Sequence, residues 1–160
     1  MQSQRDAKFK EIAEQLGYRF DGEIKIGGNY VSLVKHEDQI FVSGQIPRVG
    51  NDVVIVGRVG EAVGLADAQL AAKICTLRAL ALLYRSLGSL DKISKILRIT
   101  VFVQSAHDFT QQSEVSDGAS EVLYHVLGEA GQHTRTSVGV YQLPKNASVE
   151  LDLIAVSDKG

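Results

Sequence analysis

The stretch Ser148-Val149-Glu150-Leu151-Asp152-Leu153-Ile154-Ala155-Val156 alternates apolar residues with residues of mixed character, and this period of two predicts a β-strand. Residues 96–104 follow the same rule and are rich in β-branched side chains. In each stretch one face is apolar throughout, formed by Leu97, Ile99, Val101 and Val103 and by Val149, Leu151, Leu153 and Ala155. The two stretches therefore predict a sheet with one face in the core.

Two amphipathic helices flank residues 96–104 along the sequence and can cover that face. Residues 67–87 carry an apolar stripe at spacings of three and four, closed by Gly88, and residues 115–127 carry a second stripe, closed by Gly128. The other predicted elements are a helix at 6–16, strands at 30–34, 39–43, 53–56 and 136–142, a turn at 35–38 and a loop at 44–51. After the leading helix the order is βββαβαββ. This order predicts an α+β fold in which two helices cover one face of a mixed sheet.

The opposite faces of the central strands are neither fully polar nor fully apolar. We assign to them Arg98, Thr100 and Phe102, then Arg135, Ser137, Gly139 and Tyr141, then Glu150, Asp152, Ile154 and Val156. Two helices cover only one face of a sheet, so apolar side chains on the other face indicate cover by a partner subunit. We therefore expect a homo-oligomer.

Length and composition narrow the classes of function. A chain of 160 residues favours one domain, spanning residues 1–160. A net charge of -2 with only 6% aromatic residues argues against a nucleic-acid surface. The longest apolar run, residues 79–84, is far shorter than a membrane span, and the single cysteine, Cys75, fits a reducing compartment. These features predict a soluble cytoplasmic protein.

Arg135 and Glu150 are the candidate chemical groups. At the start of a predicted strand, Arg135 could bind a carboxylate through two parallel hydrogen bonds, or form a salt bridge with Glu150 or Asp152. Glu150 shares a face with apolar residues, so its pKa would be shifted by burial or by a nearby arginine, as at proton-transfer sites; a structural ion pair is the alternative.

Signals for metal or cofactor chemistry are missing from the sequence. The histidines, at positions 36, 107, 125 and 133, lack the spacing of metal ligands, and the chain has neither a glycine-rich phosphate loop nor a serine-hydrolase elbow. Cys75 lies beside the apolar stripe of residues 67–87, where a small buried hydrophobic role is the default. We therefore expect no metal and no organic cofactor.

Three phrases of the sequence match one family in the same order. They are Tyr30 to Pro47, ending in Ile40-Phe41-Val42-Ser43-Gly44-Gln45-Ile46-Pro47; Thr100-Val101-Phe102-Val103; and Arg135 through Leu143-Pro144 to Val156. In these phrases the chain resembles the YjgF or Rid family, the reactive intermediate deaminases, also called the endoribonuclease L-PSP family. The resemblance covers residues 28–156, which leaves residues 1–20 as an N-terminal helical extension.

The resemblance implies a chorismate-mutase-like fold and a homotrimer with a central β-barrel and sites in the clefts between subunits. It also implies hydrolysis of 2-imino acids, such as the one derived from 2-aminoacrylate, to 2-oxo acids and ammonia without a cofactor. In these terms Arg135 would bind the substrate carboxylate and Glu150 would orient the water. Tyr30, Ser43 and Gly44 would line the pocket. Two positions depart from the family pattern: Asp117 is the nearest match to an asparagine, and Ser137 stands where a cysteine is frequent.

Two other functions fit parts of the sequence. A trimeric protein that binds small carboxylates through Arg135 without turnover would show ligand affinity but release no ammonia. An endoribonuclease or translation inhibitor is the second alternative, since some relatives carry that name. The acidic balance and the lack of a basic stripe argue against it.

Overall fold

A mixed five-stranded sheet carries the fold across residues 3–159, which the computed structural model describes. In chain order the helices and strands are α1 (Gln4–Leu16), β1 (Leu33–His36), β2 (Gln39–Gln45), β3 (Arg48–Val49), β4 (Asp52–Val53), α2 (Leu65–Leu87), β5 (Ile93–Gln104), α3 (Gln112–Leu127), β6 (Thr134–Val140) and β7 (Val149–Ser157). Short 3₁₀ turns occupy Leu90–Lys92, Gly128–Gly131 and Pro144–Asn146. The sheet order is β1-β2-β7-β5-β6, with β5 and β6 parallel and the other neighbours antiparallel. The predicted α+β class with a mixed sheet is confirmed.

Helices α2 and α3 pack on one face of the sheet, as predicted. The apolar side of α2 is fully buried and fills the centre of the core. Both helices end at the predicted glycines, where a φ of +84° at Gly88 and +60° at Gly128 lets the chain turn away. Helix α1 begins at Gln4 rather than at residue 6, because the Ser3 Oγ accepts a hydrogen bond from the backbone N–H of Asp6. Within residues 3–159 every helix is too short or too polar to cross a bilayer.

The predicted core face of the sheet is confirmed, except at one position. The inward residues of β7 and most of those of β5 are buried, namely Ile99, Val101, Val103, Val149, Leu151, Leu153 and Ala155. Leu97 is not among them, because the register of β5 against β7 shifts between Ile96 and Arg98. This bulge turns Ile96 into the core and leaves Leu97 only partly buried.

The strands near the N-terminus differ from the predicted boundaries. The predicted strand at 30–34 is wrong in its bounds, since β1 runs from Leu33 to His36 and shares only residues 33 and 34 with it. The predicted turn at 35–38 is confined to Glu37 and Asp38, where Glu37 has a φ of +55°. Strand β2 extends to Gln45, two residues beyond its predicted end and into the predicted loop. Only Val53 of the predicted strand at 53–56 is in a strand, the short strand β4. Its partner β3 lies within the segment 44–51, which the sequence predicts as a loop. The first and last residues of these strands depend on which segment each strand pairs with, and the periodicity of the sequence does not reveal that.

Strand β6 presents the opposite face from the one predicted. It runs parallel to β5 with Arg135 opposite Ile99 and Ser137 opposite Val101, and both partners point into the core. Arg135 and Ser137 therefore face the helices, and the assignment of Arg135, Ser137 and Gly139 to the face of Glu150 is wrong. Tyr141, assigned to the same face, lies just beyond the strand and is 80% exposed.

The face of the sheet opposite the helices is open in the single chain. Val34 of β1, Phe41 of β2 and Val138 of β6 are exposed there, and Ile154 and Val156 of β7 are half-buried. Apolar side chains spread over several adjacent strands are typical of a surface that a partner covers. The mixed character of this face agrees with the sequence, and the homo-oligomer stays a prediction.

The crossing of α2 and α3 depends on one glycine. A Cβ on Gly118 of α3 would stand 2.4 Å from the backbone oxygen of Gln69 in α2, a distance that forces the two helices apart. We expect Gly118→Ala to destabilise the fold by about 1–3 kcal/mol, because overpacking outweighs the better helix propensity of alanine. Urea unfolding measures the change, and Gly22→Ala is the matched control because its added methyl group meets nothing within 4 Å. Equal stability of the two variants would contradict this account of the crossing.

Candidate functional site

A cavity of about 200 Å³ opens beside the ends of β2 and β7. The irregular segment before β1, helix α2 and the turn after β6 complete its wall. Its lining includes Lys25, Tyr30, Ser32, Gly44, Gln45, Arg48, Arg78, Lys145 and Glu150. The cavity therefore combines one carboxylate with several cationic groups, a composition suited to a small polar ligand.

Glu150 is the acidic group of this cavity. Its side chain is partly buried, and among residues 3–159 it has neither a hydrogen bond nor an ion pair. Burial raises the pKa of the Glu150 carboxyl above its usual range, and the negative charge of Asp152 raises it further. The structural ion pair considered for Glu150 is absent from the described chain, and its carboxylate is free to accept a proton.

Gly44 makes room for this carboxylate. A Cβ at position 44 would lie 2.6 Å from the Glu150 Oε2, so any larger residue would displace the side chain of Glu150. The approach results from a bulge in β2, where two residues, Ser43 and Gly44, stand between the pairs Val42–Leu153 and Gln45–Leu151. The extra residue turns Gly44 toward the face that carries Glu150.

The predicted pocket residue Ser43 precedes Gly44 in β2, and Tyr30 lines the same cavity as Gly44. The Ser43 Oγ donates a hydrogen bond to the carbonyl oxygen of Val31 at 2.8 Å, and the Ser43 N–H donates to the carbonyl oxygen of Ser32 at 2.9 Å. These bonds hold the segment before β1 against β2. Tyr30 on that segment is 52% exposed and lines the cavity. The structure thus brings Tyr30, Ser43, Gly44 and Glu150 together.

Arg135 lies in a different cluster, against helix α3. Its Nη1 contacts the Asp117 Oδ1 at 2.8 Å and the Ser120 Oγ at 2.9 Å, and its Nη2 donates to the Ser113 Oγ at 2.9 Å. The predicted salt bridge to Glu150 or Asp152 is therefore wrong, since those residues face away from the helices. Asp117, the nearest match to an asparagine, is the ionic partner instead.

Ser137 extends this cluster along β6. Its Oγ shares a hydrogen bond of 2.6 Å with the Ser116 Oγ of α3. Arg135, Asp117 and Ser137 thus form a polar strip along the edge strand β6 of the sheet. Within one chain Arg135 and Ser137 point to the helix side of the sheet and Glu150 points to the open side, with β5 between β6 and β7. The predicted site residues therefore fall into two separate groups.

Two arginines of the cavity did not appear among the predicted site residues. Arg78 interrupts the apolar stripe of α2, and Arg48 follows Pro47 in the hairpin β3–β4. The Arg78 Nε donates to the Gln45 Oε1 at 3.2 Å, and its terminal nitrogens donate to the carbonyl oxygens of Arg48 at 2.6 Å and Lys25 at 3.3 Å. An arginine inside a buried helical stripe was a usable sequence signal, because burial of a charge requires partners.

Cys75 is confirmed as a buried residue of the core. It is fully buried in α2, and its Sγ lies 3.8 Å from the carbonyl oxygen of Val149. Burial raises the pKa of its thiol far above the usual range, so the thiolate nucleophile does not form near neutral pH.

Comparison with known proteins places these features in a family. The profile of the family described as "YjgF/chorismate mutase-like, putative endoribonuclease" matches residues 17–156. The chain is similar to Protein TCP17 of Trypanosoma cruzi, with 38% identity over 144 residues, covering 88% of this chain and 89% of the relative.

Two solved structures show the same fold. The protein Atu1372 of Agrobacterium tumefaciens, of unknown function, is 35% identical, with a TM-score of 0.84 over 96% of this chain and 92% of that chain. TdcF of E. coli, solved with bound serine, is 25% identical, with a TM-score of 0.55 over 82% of this chain and 90% of that chain. The resemblance seen in the sequence is confirmed, and the chorismate-mutase-like fold with it. The family match over most of the chain, together with the α+β fold, shows that this protein belongs to the YjgF/chorismate-mutase-like family.

Proposed function

We propose that the protein is a cofactor-independent hydrolase of 2-imino acids, which releases a 2-oxo acid and ammonia. The observation that carries the proposal is Glu150: a partly buried carboxylate with a raised pKa, unpaired among residues 3–159, that lines a small cavity. A carboxylate in this state can orient a water molecule and accept its proton near neutral pH. Serine bound to the relative TdcF supports a small amino-acid-like ligand.

The proposed site is completed by a second copy of the chain. Arg135 lies on the edge strand β6, whereas Glu150 lies on the open face of the sheet, so one chain cannot apply both groups to one small substrate. In a homotrimer, the β6 edge of one protomer would cover the Glu150 cavity of its neighbour. Burial of the open face, with its exposed Phe41 and Val138, would stabilise that assembly.

The chemistry requires only these side chains and water. Arg135 binds the substrate carboxylate through its guanidinium fork, which fixes the position of the C=N carbon. Glu150 accepts a proton from water as the water oxygen attacks that carbon, and it passes this proton to the imine nitrogen to give a carbinolamine. Glu150 then accepts the hydroxyl proton of the carbinolamine and delivers it to the amino nitrogen, while the C–N bond breaks, the C=O bond forms and neutral ammonia leaves. Tyr30 and the backbone around Gly44 confine the substrate.

The ion pair between Asp117 and Arg135 supports a second candidate function. The Asp117 carboxylate already contacts one terminal nitrogen of Arg135, so the carboxylate of a substrate has to compete with it for the guanidinium. This arrangement favours a protein that binds small carboxylates reversibly, with weak or no turnover. Substitutions of Glu150 and Asp117 separate the two functions.

We expect Glu150→Gln to reduce imine hydrolysis by roughly 10²-fold or more, because glutamine keeps the size of the side chain but cannot accept the proton. Ammonia and 2-oxo acid are measured with enzymatically generated 2-imino acids. Asp152→Asn is the matched control, since it lies on the same strand face and has a carboxyl whose pKa is also raised by burial. Normal turnover of Glu150→Gln in an intact assembly would remove Glu150 from the reaction, whereas no turnover in the wild type would leave only the binding function.

The pH profile gives an independent test of Glu150. Because its pKa is raised in the folded protein, kcat/KM should fall on the acid side with a midpoint above about 4.3, the usual glutamate pKa. Asp152→Asn should move this midpoint to lower pH, since the negative charge of Asp152 contributes to the shift. An acid limb that stays unchanged in Asp152→Asn and persists in Glu150→Gln would assign the titration to another group.

Mixed assemblies test whether a site combines two chains. Arg135→Ala and Glu150→Gln should each be inactive, but after unfolding and refolding together they should regain activity. About a quarter of the sites in a random one-to-one mixture would combine an intact Arg135 with an intact Glu150 from different chains. The unmixed variants, refolded separately, are the control. No recovery in mixtures whose trimer content matches the wild type would place both groups in one chain.

Asp117→Asn should strengthen binding of small monocarboxylates such as 2-oxobutyrate. The substitution removes the carboxylate that competes for Arg135, and the gain should be at most about fivefold, on the scale of about 0.2–1 kcal/mol for a partly exposed ion pair. Glu114→Gln, which removes the same charge from an exposed position of α3, should leave affinity unchanged. Weaker binding in Asp117→Asn would show that Asp117 holds Arg135 in its binding position.

A further inference from the structure

Two buried arginines face the Glu150 cavity without an acidic partner. Arg48 is 6% exposed and Arg78 is 4% exposed, and both line the cavity. Among residues 3–159 neither guanidinium lies within 4.0 Å of a carboxylate; the ion pairs found there join Arg19 to Asp21, Lys73 to Glu121 and Arg135 to Asp117. Buried cations are costly unless an anion or several hydrogen bonds compensate them.

The two arginines differ in how well the chain satisfies them. Arg78 donates three hydrogen bonds, to Gln45, Arg48 and Lys25, which leaves two of its five N–H groups free. The Arg48 side chain has no hydrogen-bond acceptor among residues 3–159, and its guanidinium is accessible from the cavity, because every fully buried side-chain nitrogen there has a partner. Arg48 is thus the less satisfied of the two arginines, and an anion is the ligand that would satisfy it.

The electrostatics of Arg78 agree with an unneutralised cationic pair. Burial lowers the pKa of the Arg78 guanidinium, and the positive charge of Arg48 lowers it as well. Glu150 does not compensate this pair, because its own pKa is raised by burial and by Asp152 rather than lowered by a nearby arginine. Among residues 3–159 the Glu150 carboxylate lies more than 4.0 Å from both guanidinium groups, and all three side chains line the same cavity.

We propose that Arg48 and Arg78 form an anion subsite that binds a second carboxylate of the ligand. In combination with the proposed function, on which this assignment of substrate rests, the preferred substrates are 2-imino acids derived from dicarboxylic amino acids. Arg135 of one protomer would bind the carboxylate next to the imine, and Arg48 and Arg78 of the neighbour would bind the distal one. A cavity of about 200 Å³ limits the chain between them to a few carbons, since drug-sized ligands need roughly 300–1,000 Å³.

A carboxylate is the anion that the proposed function supplies to this subsite, since 2-imino acids carry carboxylates. A guanidinium binds carboxylates and phosphates alike through two parallel hydrogen bonds, so the arginines alone do not separate the two anions. Inorganic phosphate therefore serves as a competitor that distinguishes the two chemistries.

A direct measurement of ligand binding tests the subsite and requires no catalytic turnover. Titration calorimetry on the full chain would compare 2-oxoglutarate with 2-oxobutyrate, which lacks the distal carboxylate. We expect 2-oxoglutarate to bind at least about tenfold more tightly, the scale of one charge-assisted hydrogen-bonded contact, and millimolar phosphate to compete poorly. Equal affinity for the two oxo acids, or phosphate binding stronger than that of 2-oxoglutarate, would overturn the proposal.

Arg48→Gln is the decisive variant, because its side chain makes no hydrogen bond that the described fold needs. It should abolish the preference for 2-oxoglutarate and leave the affinity for 2-oxobutyrate unchanged. Arg48→Lys should restore part of the preference, since lysine keeps the charge but not the fork. Arg19→Gln, which removes one positive charge from an exposed ion pair, is the control and should keep the preference. Arg78→Gln is less suitable, because Arg78 also holds backbone carbonyl oxygens of two segments.

The outcomes separate this inference from the proposed function. Loss of the dicarboxylate preference in Arg48→Gln supports the subsite even if Glu150→Gln hydrolyses imines normally. If Glu150→Gln is inactive but Arg48→Gln binds both oxo acids as the wild type does, imine hydrolysis stands and the subsite is overturned. A fall in trimer content or thermal stability of Arg48→Gln, without a dicarboxylate preference in the wild type, would assign Arg48 to a contact between subunits and also overturn the subsite.

Discussion

Burial of helix α2 is the interaction on which the rest of the structure depends. Its apolar side fills the core beneath the sheet, and α3 approaches it so closely that position 118 has to be glycine. On another side, Arg85 donates to the carbonyl oxygens of Phe20 and Gly22, and Arg78 donates to that of Lys25. These bonds hold the irregular segment that leads to Tyr30. One helix thereby supports both the core and a wall of the cavity.

The sheet is covered on one side only, and this asymmetry shapes the proposed chemistry. Strand β7 presents Glu150 on the open face, where half-burial raises the pKa of its carboxyl, whereas β6 presents Arg135 to the helices. A binding site that needs both groups has to be built from two copies of the chain. The same asymmetry leaves apolar side chains exposed, and their burial provides the driving force for such an assembly.

Much of this architecture could be predicted from the sequence, because its determinants are local. The stripes of α2 and α3, their terminal glycines and the alternation in β7 follow from the geometry of helices and strands alone. The family resemblance added Arg135, Glu150 and the pocket residues as candidates. The structure brings Tyr30, Ser43 and Gly44 to Glu150, in agreement with their common assignment to a pocket.

Register and burial were decided only by the tertiary structure, because both depend on contacts between segments far apart in the sequence. Bulges in β2 and β5 turn Gly44 and Ile96 to faces that strict alternation does not give. The parallel pairing of β6 with β5 places Arg135 beside Asp117 instead of Glu150. The sequence by itself determined which side chains are available, from their chemistry and local periodicity. Packing determined which of them meet, because a one-residue change of register moves a side chain to the opposite face of a sheet.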